Sequence, residues 1–146
     1  MIFLHIRKHF GARTSEWILA CILASWGLML LRPENTFLDE RVYLTLTRIA
    51  SETVWGWMCL GCGLLRIAAL IVNGSWVPST YHLRSLTSIL SCFFWFQITL
   101  GLMASGVAST GLAIYPWLLV LDVICCHRAA VDLRFSQAAV KHATGE

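Results

Sequence analysis

Apolar residues gather in this chain into long runs separated by short polar stretches. The first run covers residues 17–31, after Thr14-Ser15-Glu16 and before Pro33. Ser15 suits a helix N-cap, and Glu16 suits the positive end of the helix dipole. The second run covers residues 53–72, close to the ~20 residues that a helix needs to cross a hydrocarbon layer. Asn73-Gly74 closes it with turn chemistry. The third run, residues 86–126, holds no Lys, Arg or Glu and one Asp. As a single helix it would be about 60 Å long, roughly twice the hydrocarbon thickness, so it must fold back. Gly106, Ser109, Thr110 and Gly111 mark the turn. The pattern predicts an all-α protein, a four-transmembrane-helix bundle forming one membrane domain over residues 1–146. Its expected spans are about 15–32, 53–72, 86–105 and 112–127.

The polar stretches predict interfacial helices. Phe3, Ile6 and Phe10 share one helical face beside Arg7, Lys8 and Arg13, as in a short helix lying on a membrane surface. Residues 36–52 carry Phe37, Leu38, Val42, Leu46 and Ile49 near helical spacing, so an amphipathic segment is expected there. Residues 128–146 form a polar tail that continues the last helix.

Composition agrees with this reading. The chain is 58% apolar and 13% charged, against about 45–50% and about 25% in soluble domains. A soluble chain of 146 residues cannot bury that excess. The net charge of +3 is spread along the chain, so no nucleic-acid-binding face is expected. The cations report topology instead. Four spans place Arg7, Lys8, Arg13, Arg84, Arg128, Arg134 and Lys141 on one side and Arg32, Arg41 and Arg48 on the other. That excess puts both termini in the cytoplasm. The six cysteines lie in or at the ends of apolar runs, where they act as small packing residues. Cys59 and Cys62 form a C-x-x-C pair mid-span, away from the surface where thiol redox chemistry works.

Few residues carry candidate chemistry. Arg66 lies inside the second span and Asp122 inside the fourth, at similar depth. An intramembrane ion pair would satisfy both. Snorkelling of Arg66 alone, and an ion or proton pathway through the pair, are the alternatives. Gln97, near the middle of the third span, would hydrogen-bond a neighbouring helix or line a pore. Gly101 and Ser105 follow it at four-residue intervals and form a ridge suited to close helix contact. Gly56, Gly61 and Gly63 offer a similar approach on the second span. No catalytic residue, cofactor site or metal site is expected, because no nucleophile, phosphate-binding or metal-ligand motif is present.

One string of motifs resembles a known group. It comprises Trp55-Gly56-Trp57, Gly63-Leu64-Leu65-Arg66, Asn73-Gly74, Arg84, Phe94-Trp95-Phe96, Thr110-Gly111 with Tyr115, Asp122 and Arg128-Ala129-Ala130. Over residues 55–132 the chain resembles small polytopic membrane proteins of tailed bacteriophages and prophages. The resemblance implies a bacterial inner membrane and no particular reaction. Arg66 and Asp122 both belong to the shared pattern.

The expected function is therefore that of a non-enzymatic, phage-type inner-membrane protein that self-assembles or joins a membrane assembly. Holin-like permeabilisation and genome passage are the two forms this would take. An accessory subunit that stabilises a larger complex is the first alternative, and a small carrier using Arg66 and Asp122 is the second. The expected partners are the lipid bilayer and further copies or other membrane subunits.

Overall fold

The computed structural model describes residues 2–33, 43–72 and 79–144. Among these residues the protein is all-helical. Helix α1 spans Ile2–Leu30, α2 spans Leu44–Thr47, α3 spans Glu52–Val72, α4 spans Ser79–Ala104 and α5 spans Tyr115–Thr144, with a 3-10 turn at Thr110–Ala113 before α5. Three segments are long and apolar enough to cross a membrane: Glu52–Val72, His82–Ala104 and Thr110–Phe135.

The four long helices run up and down in sequence. Gly27 of α1 lies against Gly56 and Leu60 of α3, and Ala24 lies against Gly63, so these two helices are antiparallel. Trp55 meets Phe94 while Cys62 meets Thr87, which reverses direction again between α3 and α4. Trp95 stacks on Tyr115 and Arg84 reaches Asp132, which does the same for α4 and α5. The molecule thus has two ends. One holds α2 and the 3-10 turn, and the other holds the start of α1 and the finish of α5.

Local chemistry sets the helix limits. Ser51 caps α3, its Oγ accepting the Val54 N–H at 3.4 Å, with Glu52 in the first turn. Helix α4 stops at Ala104, and Gly106 follows in the left-handed region at φ +65°, which favours a residue without a Cβ. Ser109 then caps the 3-10 turn by accepting the Gly111 N–H at 3.2 Å. Pro116 sits in the first turn of α5, where a missing N–H costs nothing.

Several boundaries differ from those the hydropathy predicts. Ser15 does not cap a helix; α1 passes through it, broken only by non-helical Arg13 (φ −125°, ψ 15°). The expected surface helix and first apolar helix are therefore joined at a kink. Helix α4 begins at Ser79, ahead of the apolar boundary at residue 86, since a helical backbone tolerates polar residues. Of the expected amphipathic segment 36–52, residues 36–42 lie outside the described residues, and regular α-helix before α3 is confined to Leu44–Thr47.

The core follows the inner faces of α1, α3 and α4, with the partly buried Tyr115, Leu118 and Leu119 of α5 packed against it. Leu23, Leu30, Trp55, Cys59, Phe94, Trp95, Ile98 and Leu102 are buried together. Leu46 of α2 plugs the end of this core. It is fully buried, its backbone carbonyl accepts the Trp55 indole N–H at 3.1 Å, and its side chain fills the space left by Gly101.

Gly27, Gly56 and Gly63 permit the close crossing of α1 and α3. A Cβ on Gly27 would come within 2.4 Å of the Leu60 backbone nitrogen, and one on Gly63 within 2.7 Å of the Ala24 nitrogen. Gly61 faces open space and takes no part in the approach expected of it. Gly27→Leu or Gly63→Leu should therefore cost about 1–3 kcal/mol or more through forced backbone separation, whereas Gly61→Ala should be neutral or stabilising. Thermal aggregation in mild detergent, followed by size-exclusion chromatography, checks the contrast. A Gly61→Ala loss as large as that of Gly27→Leu would contradict this packing.

Candidate functional site: a buried charge network

Each long helix turns a polar residue inward. On α4 the inward positions Arg84, Ser88, Ser91, Trp95 and Thr99 recur at helical spacing, and all are buried. On α5 the inward series is Asp122, Cys125, Ala129 and Asp132. Helix α1 contributes Glu16 and α3 contributes Arg66, both buried.

These side chains form two groups. In the inner group, Arg66 Nη1 lies 2.6 Å from Asp122 Oδ1, with the two side chains 1% and 0% exposed. The Ser91 hydroxyl donates to Asp122 Oδ2. This group therefore joins α3, α4 and α5. Asp122 Oδ1 is met by the ion pair alone and Oδ2 by the Ser91 hydroxyl. None of the guanidinium nitrogens Nε, Nη1 and Nη2 makes a hydrogen bond among the described residues. Trp95 Nε1 and Thr99 Oγ1, further along the same interior, are also buried without one.

The outer group lies toward the end that holds the start of α1. Arg84 Nη2 donates to Glu16 Oε1 at 2.8 Å and Arg84 Nε donates to Glu16 Oε2 at 3.2 Å, a bidentate clasp between α4 and α1. Arg84 Nη1 donates to Asp132 Oδ2 on α5 at 3.1 Å. Arg13 Nη2 stands 3.7 Å from the same oxygen. Beside this group the Ser15 hydroxyl meets the Cys125 thiol at 3.4 Å, closing α1 against α5. The two groups contain three cations and three carboxylates, so the network is formally neutral.

The remaining sequence candidates lie elsewhere. Gln97 is partly buried on α4. Gly101 packs against Leu46 of α2 rather than against another long helix. Ser105 turns its hydroxyl back to the Leu102 carbonyl at 2.7 Å and accepts the Val107 N–H at 3.2 Å, so it shapes the end of α4. Cys59 and Cys62 are both buried, and the Cys62 thiol points at the Thr87 carbonyl at 3.7 Å. Among the described residues no group of three or more His, Cys, Asp or Glu side chains is placed to hold a metal ion.

Glu16, Arg84 and Asp132 are the residues that a reading by spans passes over. Glu16 looks like a helix-start acid and Arg84 like a topology cation. Their signal is the phase of the pattern, because Arg84, Ser88 and Ser91 share one helical face with Trp95.

No known protein family, curated relative or solved structure matches the chain. The fold and this network are what carry the functional reading.

The pair at the centre of the network makes a sharp expectation. Asp122→Asn leaves a buried guanidinium without its counter-ion and should lower stability by ~3–5 kcal/mol. The double substitution Arg66→Met with Asp122→Leu should recover most of that loss, since an apolar pair of similar volume is often tolerated. Melting of all three proteins in one detergent tests this. An Asp122→Asn protein as stable as wild type would show that the pair does not hold the helices.

Proposed function

We propose that the chain is a four-span protein of the bacterial inner membrane, of the phage and prophage type, that acts as a non-enzymatic component of a membrane assembly. The observation that carries this reading is the direction in which the side chains face. Charged groups from four helices meet inside the bundle. The fully exposed positions of α3 between Val54 and Val72, and of α4 between Leu86 and Ala104, are all apolar. Trp57, Phe93, Phe96 and Trp117 stand out from the surface. A contiguous apolar exterior of this kind is a liability in water and the natural boundary in lipid.

Residues 14–30 of α1 supply the fourth span, about 25 Å at 1.5 Å per residue. That is a little short for a ~30 Å core, and Trp17 with Arg32 extends it at the interfaces. The cation balance sets both termini in the cytoplasm, which puts α2 at the outer face and the Glu16–Arg84–Asp132 group toward the inner one.

The same observation bears on how the protein would assemble. A ring of copies lining a water path needs a polar face on the outside of each bundle. Gly101 and Ser105 are engaged within the chain, and the outward faces are apolar. Contact with further copies, or with other membrane subunits, would run through apolar packing. This favours an assembly or accessory role over a holin-like pore between copies.

A carrier using Arg66 and Asp122 is supported by a different observation. The buried Arg66 guanidinium makes no hydrogen bond among the described residues beyond its charge contact with Asp122, so a permeating water or small polar solute would find donors there.

The assembly reading is tested by producing the chain alone, extracting it in mild detergent and measuring the detergent-corrected mass of the particle. The expected result is several chains per particle, or a co-purifying membrane subunit, with cellular membrane potential intact. A single-chain particle without a partner would contradict it. Collapse of the potential on production would favour permeabilisation instead.

A further inference from the structure

Each long helix carries at least one free cysteine, and two thiols from different helices meet. Cys92 of α4 and Cys126 of α5 share a hydrogen bond between their side chains. Separate contacts fix the register that brings them together. Ser91, the residue before Cys92, donates to Asp122, one turn before Cys126. Arg84 with Asp132 and Trp95 with Tyr115 hold the same two helices on either side of that level.

The two thiols lie at the edge of the α4–α5 seam. Ser91 and Asp122 face the interior and are fully buried, whereas Phe93 and Val123 face outward. Cys92 and Cys126 stand between these positions and are half-buried. Packing as small apolar residues accounts for Cys59, Cys62 and Cys125, which are buried. It does not call for thiols of two helices to meet where the surroundings reach them. Zinc takes four ligands, and among the described residues no third His, Cys, Asp or Glu completes a group able to hold a metal ion.

We propose that Cys92 and Cys126 form a modification site, a dithiol that a lipid-soluble quinone oxidises to a disulfide. In that step both S–H bonds break and one S–S bond forms. The two protons and two electrons pass to the quinone, which leaves as a hydroquinone. The inference rests on the membrane setting proposed above: Cys92 lies midway along the apolar stretch His82–Ala104, so its oxidant arrives through lipid. The C-x-x-C pair Cys59 and Cys62 is buried and out of reach of such a reagent, and the half-buried pair at the seam is not. The disulfide closes a loop that holds the second half of α4, the turn and the first part of α5. It restrains the unfolded chain at a level where Ser91 and Asp122 already join the helices, so oxidation latches the α4–α5 hairpin.

The test uses the full chain in carbonate-washed membranes, with its thiols first reduced. Recovery in the washed membrane checks the setting separately from the site. A short-chain ubiquinone is added, the remaining thiols are alkylated after denaturation, and the protein is digested for mass spectrometry. The expected result is a peptide pair joined through Cys92 and Cys126, with loss of both thiols together and recovery of both on adding dithiothreitol. In Cys92→Ser, Cys126 should keep its thiol under the same treatment. The linked wild-type protein should melt at a higher temperature than the reduced one. Thiols unchanged by the quinone overturn the proposal, as does a Cys126 lost equally in Cys92→Ser or joined to a different cysteine. A linked protein that melts no higher overturns the latch. If Cys92→Ser does not fold, the wild-type peptides decide alone, and absence of the joined pair overturns the proposal.

Discussion

A guanidinium or carboxylate removed from water must find an opposite charge or lose several kcal/mol of solvation, and this constraint organises the interior of the protein. Arg66 is answered by Asp122, and Arg84 by Glu16 and Asp132. Each link joins different helices. Arg66–Asp122 ties α3 to α5, Ser91 adds α4, and the Arg84 clasp ties α4 to both α1 and α5. Apolar faces alone would leave helix rotation and register loosely specified, because apolar packing is non-directional. Pairs of fixed partners specify both.

The other half of the bundle is held differently. Near α2 the interior is aromatic and aliphatic, with Trp55, Phe94, Trp95 and Tyr115 in edge and stacked contacts. Close approach there depends on glycine: Gly27 and Gly56 let α1 and α3 touch backbone to backbone. Leu46 closes the end, held by the Trp55 indole. The helices are thus joined by charge toward one end and by apolar packing toward the other, with a cleft between α1 and α5 in the apolar half.

Much of the helical architecture was legible in the hydropathy, because run length and turn chemistry report directly on helices that must be apolar. Residues 53–72 read nearly as α3, and the Gly106–Gly111 stretch marks the turn that splits the longest run. The partnership of Arg66 with Asp122 could be expected from depth alone. The clasp of Arg84 could not, because an arginine at the edge of an apolar run reads as a surface cation, and only the three-dimensional phase of α1 and α4 brings Glu16 to it. The roles of Gly101 and Ser105 were likewise hidden. A four-residue spacing says that small side chains share a face, and it does not say that a short connecting helix will fill the notch. Gly27, which lies in no obvious motif, proves to be the tightest point of contact in the α1–α3 pair.

The central claim is that inward-facing charge pairs hold the four long helices in register. It is tested most directly by exchanging the charges of the clasp. Glu16→Arg and Arg84→Glu should each destabilise the protein in detergent, because each buries two like charges side by side. The account predicts that the two together restore part of the lost thermal stability, because the exchanged pair re-forms while the carboxylate at position 84 still faces Asp132. Full stability in both single variants would contradict it, as would a double variant no more stable than the sum of the two losses predicts.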